Sequence, residues 1–405
     1  MQRKKIINDP VYGFINVSSE TVFNVIEHRY FQRLRRIKQL GLTNLVYPGA
    51  NHTRFHHALG AMHLIGKAMN VLRTKGVDIT DEEYEAAELA ILMHDIGHGP
   101  FSHVLEHSFV HGIAHEKISL AFMRVINDEL HGALDMAIDI FTGEYGKQFL
   151  HQLVSSQLDV DRLDYLTRDS FYTGVSEGIV GLDRIIEMIN VVNDQLVVDE
   201  KGIYSVEKFL VARRLMYWQV YLHKTTIGAD SVLINVLKRA KDLSQDGKDV
   251  FMTPSLSFFS NNHVTGDKII NDTDVLHRFS LLDDVDVVAS VKHWCNSDDA
   301  VLNHLSNALI QRKLPKVVLS DSALHENELK EISEDIQRKF NFSESEASYL
   351  VSSGALCNTT YQPSREKIWI RTKNGDLIDL ATAASNYNFV GTKALATKYF
   401  VCRPK

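Results

Sequence analysis

A mainly α fold, with a smaller α+β region towards the C-terminus, is predicted by three features of the sequence. Apolar residues recur at helical spacing through the first 245 residues, a capping box opens a strongly helical run within them, and strand-like alternation gathers after Lys316. Val22, Val25, Ile26, Phe31, Leu34, Ile37 and Leu40 approximate the helical repeat with basic residues between them, which predicts an amphipathic helix or helix pair. Ala58, Leu59, Ala61, Met62, Leu64 and Ile65 read as a buried helix. Thr80 and Glu83 form a T-x-x-E box ahead of Ala86, Ala87, Leu89, Ala90, Leu92 and Met93, and Gly97, Gly99 and Pro100 break that run. A hairpin is predicted near residues 195–205, where LVVD and GIYS flank Glu200-Lys201-Gly202. In the next helix Arg213, Tyr217 and Tyr221 stand four residues apart and share one side.

Beyond Phe251 the texture changes. Phe251 to Gly266 is polar and Ser/Asn-rich and reads as a loop, helices resume from Thr273 to Gln311, and Lys316 to Leu319 is a short β-branched run. IWIRT and LIDL pair across Asn374-Gly375, a two-residue hairpin signal. The expected organisation is therefore a helical unit over 1–250 and an α+β region over 251–405, the latter suited to oligomerisation or to covering a cleft. There is no internal repeat and no low-complexity tract.

With 405 residues, 44% of them hydrophobic and 23% charged, the chain can bury a large core. A net charge of -7 argues against a broad, nonspecific nucleic-acid surface. Cys295, Cys357 and Cys402 are widely spaced and odd in number, so they make neither a disulfide framework nor a CxxC metal knuckle, and a reducing cytoplasm fits them. MQRKKIINDPVYGF lacks the apolar core of a signal peptide, and no apolar run approaches the ~18 residues that span a bilayer. A cytoplasmic protein without a membrane partner is expected.

Chemistry is concentrated in the histidines, ten of whose 19 lie between His52 and His115. His57, the adjacent His94 and Asp95, and the distant Asp161 can close around one divalent metal, because mixed nitrogen and oxygen donors suit borderline ions. Around Asp161, the carboxylates Asp159, Asp161, Asp164 and Asp169 alternate with Val160, Leu163 and Leu166, so some must face a core or cleft. Buried carboxylates need a metal or a cation, and Arg162 and Arg168 are adjacent. Taken singly, a His on an apolar helix face is more often a core residue. The ordered set, with Gly-Xaa-Gly-Pro after His94-Asp95 and a later His115-Glu116, favours the metal. Asp159, Asp164, His52, His63, His107 and His111 read as structural or surface residues.

Seven ordered blocks then bear on family. They are NDPVYGFI from Asn8, FQRLRRIKQLG from Phe31, YPGANHTRFHHALG from Tyr47, HDIGHGPFSH from His94, AHE from Ala114, DVDRLDYLTRD from Asp159 and VYLHK from Val220. Over about residues 6 to 240 the chain resembles the HD-domain phosphohydrolases, and more closely the deoxynucleoside triphosphate triphosphohydrolases joined in animals to a sterile-alpha-motif domain. The resemblance implies an HD-domain helical core and a divalent metal held by His57, His94, Asp95 and Asp161. Mn, Fe, Ni, Zn or Co suits such ligands, with Mg as a further ion on the substrate phosphates. It implies hydrolysis at the α-phosphorus by metal-activated water, giving deoxynucleoside and intact triphosphate.

Roles follow position by position. His98 and His115 match residues on the α-phosphate, and His103 with Glu106 matches a general-acid dyad for the departing 5′ oxygen. Their spacing of three makes them neighbours on a helix, where Glu106 can orient His103; the plain alternative is a surface pair. Glu116 would support His115 or a water. Arg54, Arg162, Arg213 and Tyr165 match triphosphate contacts, Gln39 and Asp169 match groups on the 3′ hydroxyl, Tyr221 crowds the 2′ position, and Leu40 packs on sugar or base. Tyr217 and Tyr221 can also be read as core aromatics at helical spacing.

Departures limit the likeness. No sterile-alpha-motif segment is present, Leu42-Thr43 stands where related members carry glycines, and Leu222 replaces a polar residue, so base preference stays open. Asn8, Glu27, Gln32 and Arg35 fall at positions where some relatives bind an activating nucleotide between subunits, although Glu27 is longer than the usual aspartate. The expectation is a homo-oligomer, dimer or tetramer, acting on deoxynucleoside triphosphates. Two alternatives are an HD-type nucleotidase or phosphodiesterase, and a nucleic-acid-binding module with a structural metal site.

Overall fold

A computed structural model describes residues 5–101, 104, 113–262, 264–358, 361–362, 364, 366–383 and 396–405. The chain begins with an antiparallel hairpin of β1 (Lys5–Asp9) and β2 (Gly13–Val17), paired with Ile7 opposite Ile15. Its inner face buries Ile15, while Ile6 and Phe14 remain 56% and 68% exposed on the outer face. Ser19 caps α1 (Glu20–Glu27) by accepting from the Val22 amide. Extended backbone at His28 ends that helix, and His28 in turn caps α2 (Arg29–Gln32). A 3-10 turn over Arg33–Arg36 follows, and Ile37 is extended. The predicted amphipathic run is thus two short helices and a turn, and Leu40 lies outside them because Lys38 bridges to Thr53.

Two helices that carry site residues come next. α3 (Arg54–Thr74) is followed by α4 (Asp81–Met93), which opens with the predicted Thr80–Glu83 capping box. After α5 (His115–Glu129), α6 (Asp135–Thr142) and α7 (Gln148–Val154) comes α8 (Val160–Thr173), capped by Asp159. α9 (Leu182–Met188) leads into β3 (Ile189–Val192) and β4 (Gln195–Asp199). The hairpin therefore lies upstream of its expected place near 195–205. Asn193 and Asp194, at φ 50 and 61, make its two-residue turn, the twist that matches flanking strands. GIYS instead opens α10 (Ile203–Met216), which runs into a π turn over Tyr217–Tyr221 before α11 (Lys224–Gln245).

The expected loop from Phe251 to Gly266 contains α12 (Pro254–Asn261), started by the Thr253 side chain with Pro254 in its first turn. α13 (Gly266–Asn271), α14 (Thr273–Ser280), α15 (Asp284–Trp294) and α16 (Ala300–Ile310) precede β5 (Lys316–Ser320). Then come α17 (Glu326–Phe340), α18 (Glu344–Ser348), β6 (Ser352–Asn358), β7 (Trp369–Arg371), β8 (Leu377–Asp379), α19 (Leu380–Ala383) and β9 (Ala396–Arg403). β7 and β8 do form the predicted hairpin, but Thr372 and Asp376 also bond across it, leaving a three-residue loop with Gly375 at φ 90. The strands make two further sheets, β3-β4-β7-β8, with β4 and β7 parallel, and β5-β9-β6.

α3 and α8 approach each other at Gly60. A Cβ there would lie 2.0 Å from Arg168 Nη2 and 2.1 Å from Asp164 Oδ1, two side chains fixed in a buried ion pair. Gly60→Ala is accordingly expected to lower stability by about 3–5 kcal/mol in denaturant unfolding, the cost of breaking such a pair.

Glu88 on α4 is buried and accepts from Ser18 Oγ. Burial raises its carboxyl, the Ser18 bond opposes, Glu85 adds to the rise, and the result is about 7 against an ordinary 4.5. The folded state then binds more protons than the unfolded one between those values, so this group weakens the fold as pH rises through them and is harmless below. Glu88→Gln should therefore gain about 1–3 kcal/mol at pH 8 and nothing near pH 4, read from unfolding curves at the two pH values.

Candidate metal centre and substrate cleft

Three helices bring the four expected ligands together. His57 comes from the first turn of α3, His94 and Asp95 from the C-terminal end of α4, and Asp161 from the first turn of α8. His57 Nε2 lies 3.1 Å from Asp161 Oδ1, 3.4 Å from His94 Nε2 and 3.8 Å from Asp95 Oδ2. His94 Nε2 lies 3.4 Å from Asp95 Oδ1 and 3.5 Å from Asp161 Oδ1.

The outer nitrogens explain why these inner atoms converge. His57 Nδ1 meets Asp164 Oδ2 at 2.7 Å, and His94 Nδ1 meets the Ile91 carbonyl at 2.6 Å. Both partners are acceptors, so each Nδ1 carries the proton and each Nε2 of a neutral imidazole turns a lone pair inward. His57, His94 and Asp161 make one group able to hold an ion, and Asp95, with one oxygen paired to Arg54, stands beside it; lone pairs and carboxylates so placed repel unless a cation sits among them. Titration expresses the same demand. Burial opposes charge on His57, but hydrogen bonds with Asp161 and Asp164 hold it up at about 10. Against burial, His57 and His94 pull Asp161 down, and His94, His98 and Arg54 pull Asp95 well below the carboxylate range. The donor set fits a divalent metal, which would replace those protons.

The turn after Asp95 is braced. Arg33 donates to the carbonyls of Ile96 and His98, each at 2.8 Å. At Gly97 a Cβ would lie 2.3 Å from the His115 carbonyl, so only glycine admits α5, whose Ser119 Oγ donates to the His94 carbonyl at 2.7 Å. His98 Nε2 stands 3.3 Å from Asp95 Oδ1, and His98 and His115 stack with centroids 3.8 Å apart. Burial and the neighbouring Arg54 keep His98 well below the ordinary histidine range, hence neutral. Asp95, His98 and His115 make a second group able to hold an ion.

A cleft of about 490 Å³ opens beside the tetrad, a size suited to a small-molecule ligand. Gln39, Leu40, Arg54, Arg162, Tyr165, Asp169, Arg213, Tyr217 and Tyr221 all line it, with Asp95, Asp161, His98 and His115. Arg54 pairs with Asp95, and Arg162 with Asp159. Tyr221 donates to Asp169 Oδ2 at 2.8 Å, while His52 Nε2 holds Asp169 Oδ1 at 2.8 Å. Glu116 is 59% exposed and stands 3.6 Å from His115 Nδ1, outside hydrogen-bond reach. His103 and Glu106 lie outside the described residues, as do His107 and His111. Of the four regulatory candidates, Gln32 and Arg35 are joined by a 2.8 Å hydrogen bond. Asn8 pairs with Phe14 in the hairpin, and Glu27 ends α1.

Three contributors escaped the sequence reading. Asp164 was readable, since it follows Asp161 by three residues and precedes Arg168 by four on one helix. His52 carried no local signal for its grip on Asp169. Asp284, from the C-terminal half, accepts from the amides of Lys38 (2.9 Å) and Phe101 (3.2 Å), two residues of the cleft wall.

A helical core that gathers His57, His94 and Asp161 around one point, with Asp95 beside them, defines a class, the HD-type metal centres, and comparison with known proteins agrees. The HD domain model matches residues 54–169, and the HD associated region matches 180–250. The chain is 32% identical to YwfO of Bacillus subtilis over 94% of its own length and 88% of that protein. It is 34% identical to the Deoxynucleoside triphosphate triphosphohydrolase SAMHD1 homolog of Dictyostelium discoideum over 54% of its length, spanning only 46% of that relative. Its structure superposes on a phosphohydrolase from Bacteroides thetaiotaomicron with a TM-score of 0.96 and 48% identity, covering 99% of this chain and 100% of that one. The protein belongs to the HD-domain phosphohydrolases.

Asp164→Asn is expected to weaken binding of Mn or Zn by about 10–100-fold in isothermal titration calorimetry, because the carboxylate that fixes the His57 tautomer is lost. Unchanged affinity would mean that the tetrad does not hold the ion.

Proposed function

We propose that the protein is a metal-dependent deoxynucleoside triphosphate triphosphohydrolase, releasing deoxynucleoside and triphosphate. One observation carries this reading: the metal tetrad opens onto a cleft whose walls hold Arg54, Arg162 and Arg213 beside a Tyr221–Asp169 pair. Three guanidinium groups suit a polyphosphate, and the tyrosine–carboxylate pair suits a sugar.

A divalent ion at the tetrad would supply Lewis acidity, lowering the pKa of water and offsetting phosphate charge. His57, His94, Asp95 and Asp161 would hold it, with Asp164 and the Ile91 carbonyl fixing the imidazoles. His98 and His115 are assigned to the α-phosphate. They stack with centroids 3.8 Å apart, and His98 stays neutral. Asp169, held by His52 and Tyr221, and Gln39, whose buried Oε1 has no partner among the described residues, are assigned to the 3′ hydroxyl. Because its hydroxyl is tied to Asp169, the Tyr221 ring cannot swing away, and it would exclude a 2′ hydroxyl. Protonation of the leaving 5′ oxygen is assigned to His103 with Glu106.

The same reading takes the protein as a cytoplasmic homo-oligomer. Ile6 and Phe14, exposed on the outer face of the first hairpin beside Asn8, support a subunit contact there. Among the described residues no helix is long and apolar enough to cross a membrane.

Chromatography of products formed from each dNTP by metal-stripped protein, with Mn, Mg, Fe or no metal, tests the proposal. Deoxynucleoside and triphosphate should appear only with metal, and Asp161→Ala should reduce turnover at least about 100-fold. Stepwise loss of single phosphates, or turnover of monophosphates or cyclic dinucleotides alone, would select a nucleotidase or phosphodiesterase instead.

A further inference from the structure

We propose that Thr226 and Asp230 form a base-reading pair at the end of the cleft and select guanine. The inference rests on the deoxynucleotide reading of the cleft and adds the base to it.

Both residues line the cleft, on α11. Their spacing of four puts them on one face, about 6 Å apart along the helix axis. The helix begins just beyond Tyr221, which is bonded to Asp169. A nucleotide with phosphates at Asp161 and Arg162 and its sugar at Asp169 and Tyr221 would meet Thr226 and then Asp230 next. Leu40, Gly41, Thr43 and Leu222 line the same cleft, and α11 packs against the 3-10 turn over Gly41–Leu45.

Among the described residues neither polar group is otherwise engaged. Thr226 Oγ1 is buried without a hydrogen-bond partner, and Asp230 has no hydrogen bond or ion pair among the described residues. Asp230 is half-buried, and loss of solvation pushes its carboxyl up to about 7. Buried polar atoms such as Thr226 Oγ1 are rarely left unsatisfied, and with the half-buried Asp230 carboxylate one turn further along the same cleft it points to ligand atoms that complete both.

Hydrogen-bond complementarity names the base. Guanine presents N1–H and N2–H side by side, with the O6 acceptor next to them. In its ionised form the Asp230 carboxylate can accept both N–H groups, which themselves favour ionisation, while the threonine hydroxyl donates to O6. Adenine, of nearly the same shape, turns the N1 lone pair towards the carboxylate and has no 2-amino group. Cytosine and thymine lack two adjacent donors.

The test compares kcat/KM for dGTP and dATP in the wild type, Asp230→Asn and Thr226→Val. The wild type should favour dGTP about tenfold or more, Asp230→Asn should bring the ratio within about threefold of one, and Thr226→Val should lower it in part. A wild-type ratio near one overturns the proposal, as does a ratio that survives Asp230→Asn. If circular dichroism shows Asp230→Asn unfolded, a ratio unchanged in Thr226→Val decides against it. Where no dNTP is turned over, binding of deoxyguanosine and deoxyadenosine is compared by calorimetry. Guanine preference abolished by Asp230→Asn then keeps the base reader and overturns only the triphosphohydrolase reading; equal or undetectable binding overturns the base reader itself.

Discussion

A buried chain of charges, Asp9 to Arg168 to Asp164 to His57, is the interaction on which the rest of the site depends. Arg168 donates to Asp9 Oδ2 at 2.8 Å and to both oxygens of Asp164 at 2.9 and 3.0 Å, and Asp164 accepts from His57 Nδ1–H at 2.7 Å. Asp9 also accepts from the amides of Val11 and Tyr12, each at 2.9 Å. The first hairpin, α8 and α3 are thereby tied to one tautomer of one metal-facing imidazole. Such a chain need not stabilise the fold more than apolar residues of equal volume would, but losing one member strands the others without compensation. Its demand on shape is equally strict, since Gly60 leaves no room for a methyl group where the ion pair crosses α3.

Charge is graded across the cleft by the same logic. The inner wall carries Asp95 and Asp161 and suits a cation; Arg54, Arg162 and Arg213 line the same cleft. Arg54 stands between, paired with Asp95, and lines the cleft itself. Arg33 is used differently: burial lowers it to about 9, and its two nitrogens brace carbonyls of the turn that presents Asp95 and His98. The C-terminal half reaches the same rim. Asp283 pairs with Arg36, and Asp284 holds the amides of Lys38 and Phe101. Residues far apart in sequence therefore set the width of one opening.

How much of this was legible in the sequence depended on how local each signal was. The closeness of His57, His94, Asp95 and Asp161 was readable because they sit in ordered blocks, and Thr80–Glu83 because a capping box is complete within four residues. Thr253-Pro254 was equally complete as a helix start, yet a Ser/Asn-rich composition concealed it. The second hairpin went astray because Glu-Lys-Gly resembles a turn, whereas Asn193 and Asp194 adopt the left-handed backbone that the strands require. His52 on Asp169, Asp284 on Phe101, and Thr226 with Asp230 show the limit of local reading: each acts through the fold's long-range geometry.

The π turn at Tyr217–Tyr221 shows how such geometry is made. Four residues of α-helix overshoot one turn by about 40°, so side chains at successive steps of four drift around the axis. From Arg213 to Tyr217 the chain takes the α step; over Tyr217–Tyr221 the turn widens, with the Leu222 amide bonding back to the Tyr217 carbonyl at 2.7 Å. A wider turn carries fewer degrees per residue, so it undoes part of the drift and returns Tyr221 towards the line of Arg213. Without it, the tyrosine would rotate away from Asp169, to which it donates at 2.8 Å. It also resets the chain before His223 caps α11, the helix that carries Thr226 and Asp230 into the same cleft. One extra residue per turn thus joins the arginine wall, the tyrosine beside Asp169 and the unpartnered groups beyond it into a single surface.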